Sequence, residues 1–109
     1  LRAVYITLSQ DELNQCEFKK GDTEGFVNYG LSLDGIELAI IMIENTQESI
    51  VKMSFRSKGT FNVNEFARKH FNGGGHFNAA GGASFESLEF TKEKVHQTIL
   101  EYKDQLSSI

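Results

Sequence analysis

The run Ile36-Glu37-Leu38-Ala39-Ile40-Ile41-Met42-Ile43-Glu44 constrains the fold more than any other part of the chain. At the period of an extended backbone, Ile36, Leu38, Ile40 and Met42 fall on one face, and Ala39, Ile41 and Ile43 on the other. Both faces are apolar, so neither can stay against water. The run is interrupted by Glu37 and falls well short of the roughly 20 residues that a membrane-crossing helix needs. A strand of this kind belongs inside a sheet, with packed layers on both sides.

The flanking segments supply those layers. Ile50 to Lys58 alternates cleanly, with Val51, Met53 and Phe55 toward a core and Lys52, Ser54, Arg56 and Lys58 away from it. With a polar turn over residues 45–49, the two runs read as an antiparallel hairpin. Arg2 to Leu8 reads as a further strand. Ser9 and Glu12 make a capping box for a short helix. A second helix is expected from about Glu24 to Leu33, capped by Asp22 or Thr23, with Phe26, Tyr29 and Leu33 as its buried stripe. Asn62 and Glu65 repeat the capping pattern ahead of a helix whose Val63, Phe66, Ala67 and His70 share one face. Beyond the glycines, a short helix at Ala79-Ala80, a strand from Ala83 to Phe90 and a final helix capped by Thr91 are expected. Val95, Ile99, Tyr102 and Leu106 form the apolar stripe of that last helix. The order β-α-α-β-β-α-loop-α-β-α implies a single layered α/β domain over residues 1–109, with a mixed central sheet of about four to five strands and helices on its faces.

At 109 residues, with 39% hydrophobic and 24% charged residues, the chain can bury a core without staples. One cysteine, Cys16, excludes an internal disulfide and a multi-cysteine zinc site. The start of the chain carries no secretory pattern, so the cytoplasm is the expected compartment and no membrane partner is expected. The net charge of −4 argues against a general polyanion surface, but its distribution is uneven. Residues 52–85 carry Lys52, Arg56, Lys58, Arg68 and Lys69 against Glu65 alone, a local net of +4, which leaves −8 for the remainder. A basic centre between acidic flanks fits a local anion site.

That centre surrounds Asn72-Gly73-Gly74-Gly75-His76-Phe77-Asn78-Ala79-Ala80-Gly81-Gly82, which holds five of the ten glycines. Consecutive glycines can arrange their amides as a concave nest for phosphate or carboxylate, and a helix opening just after them would add its own N-terminal amides. Arg56 can grip a phosphate bidentately and Lys58 can add a point charge. His76 can donate to a phosphate oxygen or stack on a base. Each feature has a plain structural alternative: a flexible loop, a solvated strand face, a surface histidine. Their concurrence is what points to a site. His70 reads as structural, His96 as a surface residue and Cys16 as inert. The chain shows no clustered metal-ligand spacing, no G-x-S-x-G and no P-loop. Phosphoryl-transfer chemistry needs a metal or an arranged set of cations, and nothing in these residues would activate a water.

The segments Met53-Ser54-Phe55-Arg56-Ser57-Lys58, Asn62-Val63 and Gly73-Gly74-Gly75-His76-Phe77-Asn78-Ala79-Ala80-Gly81 together resemble the DHH-associated C-terminal domain of DHH phosphoesterases. Asp22-Thr23-Glu24-Gly25-Phe26-Val27-Asn28-Tyr29 resembles the branch holding bacterial oligoribonucleases (nano-RNases) and 3′-phosphoadenosine-5′-phosphate phosphatases. The resemblance covers nearly the whole chain. It implies that Mn2+ or Mg2+ and the cleaving aspartates and histidines lie in a separate N-terminal domain, and that this domain is the substrate platform, with no cofactor of its own. By resemblance, Gly73, Gly74, Gly75 and His76 contact the terminal nucleotide and its phosphate, and Arg56 holds a phosphate from the strand face. Ser57 and Lys58 are further candidates, and Asn78 fixes the loop or the ligand. Short RNA or a phosphorylated nucleotide is the implied ligand and the N-terminal catalytic domain the implied partner, with a homodimer as a further expectation. The parent protein is then a hydrolase, and this piece alone is its binding half. Related branches act on polyphosphate, pyrophosphate, cyclic dinucleotides or single-stranded DNA, and a similar domain ends alanyl-tRNA synthetases. A stand-alone nucleotide- or RNA-binding module without hydrolysis, and a purely structural cover or dimer surface, are the competing readings.

Overall fold

The two-faced strand is the axis of the architecture. In the computed structural model, which describes residues 2–16, 20–33 and 35–106, it forms β2 (Leu38–Asn45). Its side chains divide as the period requires. Leu38, Ile40 and Met42 enter the main core, while Ala39, Ile41 and Ile43 enter a second cluster on the opposite face. β1 (Ala3–Leu8) runs parallel to β2, and β3 (Ile50–Ser57) antiparallel. β4 (Gly74–Gly75) and β5 (Ala79–Ser84) complete a mixed five-stranded sheet of order β1-β2-β3-β5-β4.

The parallel β1–β2 pair needs a crossover, which α1 (Gln10–Cys16) and α2 (Lys20–Ser32) provide. Ser9 and Glu12 form the expected capping box: the Ser9 amide donates to Glu12 Oε1 at 2.9 Å, and the Glu12 amide to Ser9 Oγ at 3.1 Å. The Ser9 amide, and then its hydroxyl, hold the Glu12 carboxyl below its ordinary pKa. α3 (Val63–His70) and α4 (Leu88–Glu101) pack on the other side of the sheet, followed by α5 (Lys103–Leu106). Phe55, Phe61, Phe66 and Phe71 interlock there, the Phe55 ring lying 5.6 Å from Phe66 and 5.5 Å from Phe71. Val95, Ile99 and Leu106 are buried and Tyr102 partly so, as predicted, but not along one helix: α4 ends at Glu101 with Tyr102 as its cap, and Leu106 is carried by α5.

Three expectations are corrected. Ala79-Ala80 is not helical. It opens β5, because His76 and Ala79 pair across a tight turn and the chain folds straight back along the glycines. Residues 83–90 are not one strand: β5 ends at Ser84, and α4 starts at Leu88 with Ser87 as its cap, its hydroxyl accepting from the Phe90 amide at 3.1 Å. Thr91 lies one turn inside, fully buried, with its hydroxyl 2.7 Å from Ser84 Oγ and 2.8 Å from the Ser87 carbonyl.

The third correction concerns α2, which begins at Lys20, so Asp22 and Thr23 lie inside the helix rather than at its cap. Phe26, Tyr29 and Leu33 are not its buried stripe; they are 46%, 67% and 40% exposed. Val27, Gly30 and Leu31 face the sheet instead. Gly30 is the reason: a Cβ there would stand 3.1 Å from Val4 Cγ1 and 3.4 Å from the Ala39 methyl. The helix settles closely on small residues and turns its aromatic side chains to the flank. There they border an apolar groove of about 290 Å³ with Val4 and Ile6. No helix among the described residues is long and apolar enough to cross a membrane.

Candidate functional site

The basic face of β3 is set by register. Arg56 pairs with Ala79, Ser54 with Gly81 and Lys52 with Ala83 across β3–β5. Directly opposed residues project to the same face, so the polar and basic side chains of β3 stand beside a row of methyls and hydrogens. All of these β5 positions are partly exposed. The result is a low floor beside Arg56. Its guanidinium lies along that floor, Nη1 donating to the Phe55 carbonyl at 2.9 Å and to the Ala80 carbonyl at 3.3 Å. This aligns the group across β3 and β5.

The glycines form the first arm of that hairpin. α3 ends at Phe71, whose amide reaches the Ala67 carbonyl, and Asn72 takes a left-handed φ of 53° to reverse the chain. Gly73 follows with its amide on the same Ala67 carbonyl, at 3.1 Å. A Cβ on Gly73 would lie 1.9 Å from the Gly81 carbonyl oxygen, so no larger residue fits. Gly75 is similarly pressed against Ala79 and Ala80. The loop is therefore a close-packed pair of strands, and its amides are largely committed. The Gly75 amide donates to Asn64 Oδ1 at 2.9 Å, and the His76 amide to the Ala79 carbonyl at 2.7 Å. The expected concave nest of free amides, and the helix opening after it, are thus replaced by a hairpin whose side chains and tip carry the site.

The tip is Phe77-Asn78, and it is fastened from below. The Val63 amide at the start of α3 donates to the Phe77 carbonyl at 2.8 Å, and the Ser57 amide donates to the Asn78 carbonyl at 3.0 Å. Asn78 Nδ2 donates to Ser57 Oγ at 2.9 Å, and that hydroxyl donates to the Phe61 carbonyl at 2.6 Å. Ser57 is only 5% exposed, so it lies under the site and braces it. Lys58 turns elsewhere: its ammonium meets the Leu31 carbonyl near the C-terminus of α2, where a cation is favoured. Of the residues singled out in the sequence, Ser57 and Asn78 are joined by a hydrogen bond, Arg56 reaches the Ala80 carbonyl on the hairpin that the glycines form, and exposed His76 opens the hairpin turn, while Lys58 points away.

Sequence reasoning missed Asn64 and Phe77. Asn64 Oδ1 accepts from both the Gly75 amide and Arg68 Nε, the latter at 3.1 Å, tying β4 to α3. Its spacing of four from Arg68 was the available signal. Phe77 is 47% exposed and borders a cleft of about 390 Å³ behind the tip, floored by Phe61, Phe66 and Tyr102. His70, on the same helix as Phe66, meets the Tyr102 hydroxyl through Nε2 at 2.8 Å. Burial pushes the His70 pKa down, Lys69 and Lys94 add to this and Glu101 opposes it; burial also pushes the Tyr102 phenol up. His70 is thus structural as expected, and His96 is exposed as expected, its ring meeting the Tyr5 hydroxyl at 3.3 Å.

A guanidinium, an imidazole and carboxamides are donors for an anion. Hard divalent cations ask for several carboxylates or carbonyls, and no group of three His, Cys, Asp or Glu side chains that could hold a metal ion occurs among the described residues. The arrangement can bind and orient a phosphate.

Residues 4–103 match the family model of the DHHA1 domain. An exopolyphosphatase-related protein from Bacteroides fragilis is 36% identical and superposes with a TM-score of 0.89 over 98% of this chain and 31% of its own. The C-Ala domain of alanyl-tRNA synthetase from Aquifex aeolicus, at 12% identity and a TM-score of 0.62, shares the fold over 97% of this chain and 91% of its own. A pGpG-specific phosphodiesterase from Vibrio cholerae shares it at 15% identity and a TM-score of 0.57, over 91% of this chain and 33% of its own. No curated protein matches this sequence significantly. The chain thus spans about a third of the length of the Bacteroides protein.

Proposed function

Because the chain belongs to the DHHA1 domain family, we propose that it is the substrate-holding part of a metal-dependent DHH phosphoesterase acting on short oligoribonucleotides or 3′-phosphoadenosine 5′-phosphate. The observation that carries this reading is the β3–β5 register, which sets Arg56 beside a floor of Ala79, Gly81 and Ala83 on the second arm of a hairpin whose turn bears His76 and Asn78. A phosphate lying on that floor meets no bulky side chain from β5. Arg56 and His76 supply charge and donors, Asn78 supplies a carboxamide, and Gly73, Gly74 and Gly75 let the two arms of the hairpin close. Ser57 acts by holding Asn78, and Lys58 has the most remote role.

Mn2+ or Mg2+, which would polarise the phosphoester and activate a water, belongs in this proposal to an N-terminal DHH domain that closes over the hairpin. The greater length of the Bacteroides relative supports a companion domain. That relative's description as exopolyphosphatase-related favours a second reading in which the bound chain is inorganic polyphosphate.

The test is Arg56→Ala in the protein carrying both domains. Loss of a charge-assisted phosphate contact is worth about 1–3 kcal/mol, so kcat/KM should fall by roughly ten- to a hundredfold. Arg56→Lys, which keeps the charge but not the fork, should recover part of this. Unchanged kinetics on dinucleotide, 3′-phosphoadenosine 5′-phosphate and polyphosphate alike would remove Arg56 from the role.

A further inference from the structure

β1 is the longer of the two sheet edges, and nothing in its sequence protects it. Its six residues, Ala3-Val4-Tyr5-Ile6-Thr7-Leu8, include no charge, proline or glycine. Its register with β2 runs unbroken from Ala3–Leu38 to Leu8–Ile43, so no bulge bends it away. Edge strands are ordinarily blunted by a charge, a proline, a bulge or shortness, because a bare row of amides and carbonyls invites another strand. The opposite edge, β4, is blunted in this way: it is two glycines long, and Asn64 holds the Gly75 amide.

The Arg2 carbonyl accepts from the Leu38 amide at 3.2 Å. By the alternation of an extended chain, the backbone groups of Val4, Ile6 and Leu8 also face β2, and those of Ala3, Tyr5 and Thr7 face outward. The outward groups have no backbone hydrogen-bond partner among the described residues. Beside them, toward α2, lies the apolar groove of about 290 Å³. Ile6, Tyr29 and Leu33, which line it, are 38%, 67% and 40% exposed. A strand laid along β1 would send every second side chain to the groove's side of the sheet.

We propose that this strand is that of a second copy: β1 pairs antiparallel with β1 about a two-fold axis at Ile6, joining two sheets edge to edge. The axis stands perpendicular to the sheet, so each face stays on its own side and the contact is closed and isologous. Val4 then meets Leu8 of the second copy, and Tyr5 meets Thr7. The outward groups of Tyr5 and Thr7 exchange about four backbone hydrogen bonds around the central Ile6 pair. Val4, Ile6 and Leu8 lie on the α2 face, so each strand extends the apolar wall of the other's groove. Charge selects the antiparallel order. Arg2, its side chain 33% exposed, stands at one end of β1, and Asp11 and Glu12 open α1 just past the other. Antiparallel pairing brings Arg2 of each copy toward the acidic turn of the other, while the paired residues carry no charge to repel. A companion domain closing over the hairpin would lie at the β4 edge, four strand spacings or about 19 Å away, and leave β1 free. The pairing therefore stands or falls independently of the phosphate reading.

Sedimentation velocity of the 109-residue chain from about 5 µM to about 0.5 mM tests this, a range in which a small interface associates. The sedimentation coefficient should rise toward that of a dimer. Ile6→Lys sets two ammonium groups against each other at the axis and should weaken the dimer by about a hundredfold or more. Far-UV circular dichroism should stay unchanged, because the Ile6 side chain is already 38% exposed. Should Ile6→Lys unfold the chain, cysteine cross-linking decides. In a Cys16→Ser background, Ile6→Cys places two thiols on Cα atoms about 4.5 Å apart, within the disulfide range, and should give covalent dimers on mild oxidation. Thr7→Cys, about 7–8 Å from its counterpart, should not. A chain that stays monomeric at the highest concentration overturns the proposal. So does a dimer that Ile6→Lys leaves intact, or one that cross-links as readily through Thr7→Cys.

Discussion

Replacing Ser57 with alanine distinguishes a residue that touches substrate from one that supports the site. Its hydroxyl is nearly inaccessible, donates to the Phe61 carbonyl at 2.6 Å and accepts from Asn78 Nδ2 at 2.9 Å. Removing it deprives the Phe61 carbonyl of that donor, whereas the exposed Asn78 amide can turn to water. One lost hydrogen bond contributes about 1 kcal/mol, and an unsatisfied buried acceptor costs about 1–3 kcal/mol, so a net loss of about 2 kcal/mol is expected. For 109 residues the unfolding entropy near the melting point is about 0.23 kcal/mol/K, so Tm should fall by about 9 °C. Circular dichroism melts read this directly. Well below the melt, the affinity for phosphate-bearing ligands should change by less than about threefold, since the hydroxyl has no free face toward them. A Tm unchanged within a degree or so, together with an affinity loss of about tenfold, would refute the reasoning and return Ser57 to the list of direct contacts.

Two further outcomes follow from the same packing. Gly73→Ala places a methyl 1.9 Å from the Gly81 carbonyl and should cost about 3 kcal/mol or more, whereas Gly81→Ala meets only the Met53 carbonyl at 3.5 Å and should change stability by less than about 1 kcal/mol, as urea unfolding of both variants would show. The His70 pKa is depressed in the folded state by burial, so the unfolded chain takes up the proton first as pH falls; stability is full above the ordinary value of 6.5 and declines below it, and His70→Asn should flatten that part of the profile in urea titrations at pH 7.5 and 5.5.

The legible parts of the fold were those governed by short-range pattern. The β2–β3 hairpin, its two cores and its basic outer face follow from a period of two, and the Ser9 box and the Asn62 cap from side chains that reach only their own helix. The illegible parts involved competition between distant segments. Ala79 and Ala80 have helical propensity, but Arg56 and Phe55 lie opposite them in β3, and pairing overrides propensity. Phe26, Tyr29 and Leu33 have the spacing of a buried stripe, and nothing local reveals that Gly30 will be pressed onto Val4.

The candidate site divides in the same way. That Arg56, His76, Asn78 and the glycines belong together was visible as a concentration of charge and backbone freedom, because composition and period are carried by each residue wherever it lands. What each does was decided by tertiary contact. The Gly73 and Gly75 amides were taken by Ala67 and Asn64 and the His76 amide by Ala79, Ser57 was driven under the hairpin, and Lys58 was drawn to the end of α2. A hydrogen-bonding group takes whichever partner the fold brings within about 3 Å, and for these residues that partner lies 3 to 27 positions away in the chain.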